Sequence, residues 1–114
     1  MATSKIIGGT INETVSAAGV SSKITVHSLF YSYQKSGIAE LWVQFSVSGA
    51  MTNNETLFSV NNLKPPRHTT TIPVISSSDK TKYGNINLTT GGAVTSGGTL
   101  PVGEWYPLHI TYLY

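Results

Sequence analysis

The acid–base stock of this chain is small: five carboxylates (Glu13, Glu40, Glu55, Asp79 and Glu104) and three imidazoles (His27, His68 and His109). Glycoside hydrolysis needs two carboxyl groups facing one bond across a short gap. No two of these acids share a strand face at a spacing that would pair them. A bound metal needs two or more nitrogens brought to one point, as in HxH or HExxH spacings, and the histidines stand singly. A serine nucleophile of the GxSxG type needs its strained elbow, which is absent. The glycine runs "TTGGAV" and "SGGTL" lack the lysine that completes a phosphate loop, and tight hairpins account for them. The chain therefore reads as non-enzymatic, with no cofactor and no metal.

A different chemistry is available to its aromatic and amide side chains. The stretch "IAELWVQFSVSG" (38–49) alternates strictly, with Leu41, Val43, Phe45 and Val47 on one face and Glu40, Gln44, Ser46 and Ser48 on the other. Trp42 falls with the polar set. A tryptophan placed outward needs cover from the same chain, a partner subunit, or a ligand that stacks on it. Tyr31 and Tyr33 on the preceding strand, and Trp105 and His109 on the last one, fall on the outer phase by the same alternation, so Trp42 is expected opposite or diagonal to Tyr31 or Tyr33. Arg67 and His68 stand in "NNLKPPRH", where Pro65 and Pro66 restrict φ and remove two donors. That makes the segment a rigid extended connection that presents both side chains. Trp42, Tyr31, Tyr33, Arg67, His68, Trp105 and His109 are the candidate ligand-binding residues.

The elements that must position them follow from composition and punctuation. Only 11% of residues are charged, against roughly 25% in ordinary globular chains, and the formal charge is +2. No Lys/Arg cluster could track a phosphate backbone, which argues against a nucleic-acid partner. Cysteine is absent, so neither disulfides nor thiolate metal sites are possible. No run of eighteen apolar residues speaks for a membrane span, and "MATSKIIGGTINETV" lacks the basic start and apolar run of a secretory signal. Helical periodicity is missing. Short β-branched and aromatic runs separated by turn clusters predict strands at 5–15, 23–34, 38–48, 55–60, 69–76, 82–89, 92–96 and 105–113. "QKSGI" joins the second and third as an antiparallel hairpin, and Gly91 or Gly92 turns the tighter one in "LTTGGAV". The expected core is Ile24, Val26 and Phe30 with Ser28 as an imperfect member, then Leu41, Val43, Phe45, Val47, Ile86, Leu88, Leu108, Ile110 and Tyr112. The whole chain, 1–114, forms one domain, with residues 1–20 as an edge strand or neck segment.

"LFSVNNLKPPRHTTTIPV", then "KYGNINLTTGGAVTS" and the closing "LHITYLY", resemble the small C-terminal β-domains of tailed-bacteriophage tail-fibre and baseplate receptor-binding proteins. Leu63, Pro65, Pro66 and Arg67 occupy that family's loop, Gly84, Ile86, Leu88, Gly92 and Val94 its hairpin, and Ile110, Thr111 and Tyr112 its last strand. Here the prolines precede the arginine, where the family pattern has "LPxGYRP". The resemblance covers residues 38 to 114. It implies an antiparallel β-sandwich of jelly-roll or Greek-key type with seven or eight strands, assembled as a homotrimer. It also implies a virion location in the tail or baseplate after assembly in the host bacterial cytoplasm. The partners implied are the chain itself, other phage structural proteins and bacterial cell-wall saccharide. Three functions are consistent with this: a trimeric adhesion domain, a structural virion part (baseplate, fibre tip or capsid decoration) whose aromatics join subunits, and a carbohydrate-binding module of a cell-wall hydrolase.

Overall fold

Each short apolar run carries one hydrophobic face and gains stability only by covering it against another. The computed structural model describes residues 5–7 and 9–114. Among them are ten strands and no helix: β1 (Lys5–Ile7), β2 (Thr10–Glu13), β3 (Ser16–Ala18), β4 (Ile24–Gln34), β5 (Ile38–Val47), β6 (Thr56–Asn61), β7 (Thr70–Ile75), β8 (Tyr83–Leu88), β9 (Ala93–Ser96) and β10 (Trp105–Leu113). They form two antiparallel five-stranded sheets, ordered β1-β2-β4-β5-β10 and β3-β6-β9-β8-β7. The antiparallel β-sandwich is the fold. The count exceeds seven or eight because the expected 5–15 strand breaks twice. Gly9 turns the chain at φ 85°, and Thr14–Val15 carry it from the first sheet to β3 in the second. The edge strand of each sheet thus comes from within the 1–20 segment, of which residues 1–4 and 8 lie outside the described residues.

The core lies between the sheets. Leu41, Val43, Phe45 and Val47 of β5 and Tyr106, Leu108, Ile110 and Tyr112 of β10 meet Phe58, Val74, Ile86, Leu88 and Val94 from the second sheet, all at most 5% exposed. The β4–β5 hairpin turns through Lys35–Gly37, with the Gly37 amide donating to Gln34 O at 3.0 Å and Gly37 at φ 107°. That short Gly-closed loop sets the register Gln34↔Ile38, Tyr33↔Ala39, Tyr31↔Leu41 and Phe30↔Trp42.

That register corrects the expected phase of β4. A bulge between Val26 and Ser28 inserts His27 as an extra residue. One extra residue in a period-two element sends every later side chain to the opposite face. Ile24 and Val26 point inward as expected, but Phe30 is turned out and is 51% exposed, while Tyr31 is fully buried and Leu29 and Tyr33 pack against the core. The buried Tyr31 and Tyr112 hydroxyls clamp the backbone of one residue: the Lys64 amide donates to Tyr31 Oη at 3.0 Å and the Tyr112 hydroxyl donates to Lys64 O at 2.6 Å. Burial pushes both phenols above their ordinary value.

The β7 and β10 edges approach each other antiparallel. The Arg67 amide donates to Leu113 O at 3.0 Å at one end of the seam, and the Ser77 amide donates to Trp105 O at 2.9 Å at the other. Backbone direction alternates along a strand, so Thr71, Pro73 and Ile75 face Pro107, His109 and Thr111 between those bonds. A proline stands on each side and cannot donate, so the sandwich is tied at both ends of this seam and left open in its middle.

Candidate binding face

The outer face of β4, β5 and β10 is a ladder of cross-strand rows. Thr25, Ser46 and Trp105 form the first, Ser28, Gln44 and Pro107 the second, Phe30, Trp42 and His109 the third, and Ser32, Glu40 and Thr111 the fourth. His27, displaced by the bulge, reaches over Ser46 and stacks on Trp105 with ring centroids 3.6 Å apart and planes 7° apart. Its Nε2 lies 2.9 Å from Ser46 Oγ. His109 stacks on Trp42 in the same way, at 3.6 Å and 9°, and its Nε2 lies 2.9 Å from Glu40 Oε2. Each indole is therefore held by an imidazole whose far nitrogen is fixed by a polar side chain. Both tryptophans remain 46% exposed.

Between the two stacks the second row forms a depression. It is an open cleft of about 510 Å³, lined by Ser28, Trp42, Gln44, Pro107 and His109 and running over the β10 edge to Ile72 and Pro73 of β7. That volume lies within the range of small-ligand sites. The Gln44 amide and the Ser28 hydroxyl make no hydrogen bond to other described residues. No lysine or arginine stands in these rows; Glu40 is their one carboxylate. The surface is aromatic, neutral and hydrogen-bonding.

The seven candidate residues divide into three groups. Trp42, Trp105 and His109 share this face. Tyr31 and Tyr33 lie on the opposite side of β4, so the expected Trp42 neighbours are replaced by Phe30 and His109. Tyr33 instead meets Tyr114 edge to face at 5.9 Å, with Lys64 Nζ 4.9 Å above its ring. Arg67 and His68 sit beyond the far end of β10, in a separate hollow with Thr70, Tyr112 and Leu113. Arg67 Nε donates to Tyr114 O at 3.1 Å, so part of its hydrogen-bonding capacity is used within the chain. His27, Ser28, Gln44 and Phe30 were absent from the candidates. For Phe30, counting back from Gly37 through the hairpin would have placed it opposite Trp42.

Two of the five acids, Asp79 and Glu104, meet at the β7–β8 turn, where the Ser76 hydroxyl accepts from the Asp79 amide and donates to the Glu104 carboxylate. Glu104, the most buried of them, accepts from the hydroxyls of Ser76 and Ser78 and from Lys82 Nζ, the last at 3.3 Å. These donors, the Ser76 hydroxyl foremost, hold its carboxyl below the usual range. The cluster ties the β7–β8 turn to the start of β10. Among the described residues no three His, Cys, Asp or Glu side chains could share a metal ion, and no helix is long and apolar enough to cross a membrane. No protein-family model matches the sequence, and no curated protein matches it.

Proposed function

We propose that this chain is a non-enzymatic adhesion domain of a phage virion, a homotrimer that binds host cell-surface saccharide through the outer face of β4, β5 and β10. The observation that carries the reading is the pair of Trp–His stacks with an unused amide and hydroxyl between them. A sugar ring offers C–H faces that pack on indole and hydroxyls that need amide and hydroxyl partners. Its neutrality matches a face without Lys or Arg. Stacking each indole on a fixed imidazole lowers the ordering cost of binding, which is how preorganisation raises affinity. The resemblance of residues 38–114 to phage fibre and baseplate domains supports the virion setting and the trimer. Leu29, Tyr31 and Tyr33 pack toward the core and so add no outward surface for a trimer contact.

A screen of glycans and of host cell-wall polysaccharide, with solution mass measured in parallel, tests this. Binding at trimer mass is the expected result. A mass equal to one chain at micromolar concentration overturns the trimer, and no binding to any host wall overturns adhesion.

One observation favours the second reading, a structural virion part. The same face continues into Phe30, Ile38 and Leu113, which are 51%, 38% and 54% exposed and offer no hydrogen bond from their side chains. Exposed apolar groups on one face suit a subunit contact better than a sugar. A trimer that binds no glycan, with Phe30→Ser lowering its mass to one chain, selects that reading.

A further inference from the structure

We infer that the depression between the two Trp–His stacks is a subsite for an acetamido group, so that the saccharide recognised is an N-acetylated hexosamine. This rests on the saccharide reading of the same face.

Trp105 and His109 are four residues apart on β10, so their Cα atoms stand about 14 Å apart at the usual strand rise. The Trp42–His109 stack walls the depression on one side, the row of Trp105 borders it on the other, and the floor row between them is low because Pro107 is compact. That floor is half polar and half apolar. On the β4–β5 side, Gln44 offers a carbonyl acceptor and an NH₂ donor pair, and Ser28 offers a hydroxyl, none of them engaged within the described chain. On the β7 side, the floor passes into Pro107, Ile72 and Pro73.

An acetamido group has the matching division. Its N–H and C=O are one donor and one acceptor, the complement of a primary amide, and its methyl is small and apolar. A plain hydroxyl at the same carbon would engage one side of the Gln44 amide and leave the proline side in contact with water. Charged sugars are poorly matched: sugar acids and phosphates would find no lysine or arginine in these rows. Two polar partners correctly placed together give about tenfold preference for the acetamido sugar.

The test titrates the full chain with two glycan pairs, each pair differing only at carbon 2. Chito-oligosaccharides are set against cello-oligosaccharides, and N-acetylgalactosaminyl glycans against galactosyl ones, with affinities from calorimetry and tryptophan emission. In at least one pair the acetamido member is expected to bind about tenfold more tightly. Gln44→Ala should reduce that preference to about twofold or less, and the near-isosteric Gln44→Glu, which loses the NH₂ donors, should reduce it in part. Asn85→Ala, on the outer face of the other sheet, should leave it unchanged; circular dichroism confirms folding of each variant. Equal affinities within both pairs, or a preference that survives both Gln44 variants, overturns the acetamido subsite while leaving saccharide binding in place. No response to any of the four glycans or to host-wall polysaccharide removes the saccharide reading along with it.

Discussion

The two outer faces of the sandwich obey the same alternation and share the same scarcity of charge, yet they use their side chains differently. On the second sheet, Thr71 pairs with Asn87 across β7 and β8 and donates its hydroxyl to the Asn87 carbonyl, while Asn87 lies opposite Thr95 of β9. The Thr71–Asn87 pair is closed there, while Asn85 and Thr95 make no side-chain hydrogen bond to other described residues and stand beside no ring stack. On the first sheet the rows carry Trp105, Phe30, Trp42, His109 and His27, and the rings pair with each other while the floor amide and hydroxyl stay unused. A face of small polar groups without stacked rings offers a ligand no flat surface to pack on. A face that fixes flat rings and leaves polar groups free is organised for contact. Tyr83, at 65% exposed on the second sheet, is a single aromatic without a stacking partner.

The comparison fails at once if the outer rings of the first sheet are really part of the core. Phe45, fully buried between the sheets and 5.6 Å from the Tyr106 ring, should lose about 3–5 kcal/mol on Phe45→Ala. Trp42→Ala, which removes a half-exposed ring, should cost clearly less, about 1–2 kcal/mol by area. Urea unfolding of the two variants decides this, and comparable losses would make Trp42 an ordinary core residue.

A smaller effect is expected from the inner side of β4. Tyr31→Phe leaves the Lys64 amide without its acceptor at a half-buried position, which should cost about 1 kcal/mol. Saccharide affinity should not change, because Tyr31 and the binding face lie on opposite sides of the strand. A variant that lost binding at full stability would place the ligand near the Lys64 loop instead, beside Arg67 and His68.

These two variants also mark how far the sequence was legible. The β5 alternation, the hairpin at Gly37 and the prolines of the 61–68 loop act through neighbours in the chain, and each led to the correct local structure. The bulge at His27 does not announce itself: it is a property of the pairing with β5, and it reversed Phe30, Tyr31 and Tyr33 together. The binding face needed a further step, because β10 joins β5 from more than fifty residues away. Trp42 was conspicuous as a ring on a polar phase, but its stacking partner His109 became visible only in the assembled sheet.

Acid sensitivity separates the ends of β10 from its middle. The folded state holds the Glu104 carboxyl below its ordinary value, so its contribution is fully present above the unfolded glutamate value of about 4.3 and is lost as pH falls through the lower folded value. Wild-type stability should therefore fall on that acid limb, and Glu104→Gln should flatten it while lowering stability at neutral pH. Melting temperatures from pH 7 down to pH 3 measure both. Because the cluster lies by the β7–β8 turn, the variant should keep its glycan preference at neutral pH wherever it remains folded.

The smallest stability change is expected where the binding face is most exposed. The Glu40 carboxylate and His109 Nε2 are 2.9 Å apart, but their side chains are 41% and 40% exposed, and such pairs contribute about 0–1 kcal/mol. Glu40→Gln should therefore shift the urea midpoint by less than experimental scatter between core variants. What the pair does is orient the imidazole, since a carboxylate on Nε2 favours the ring position that lies flat on Trp42. Glutamine can still hydrogen-bond that nitrogen, whereas Glu40→Ala cannot. The expected order of saccharide affinity is wild type, then Glu40→Gln, then Glu40→Ala, with a total span of about tenfold and with unfolding midpoints nearly coincident. If Glu40→Ala bound as tightly as wild type, the Trp42–His109 stack would owe nothing to the Glu40–His109 hydrogen bond, and the organised face would reduce to aromatic residues that happen to be neighbours.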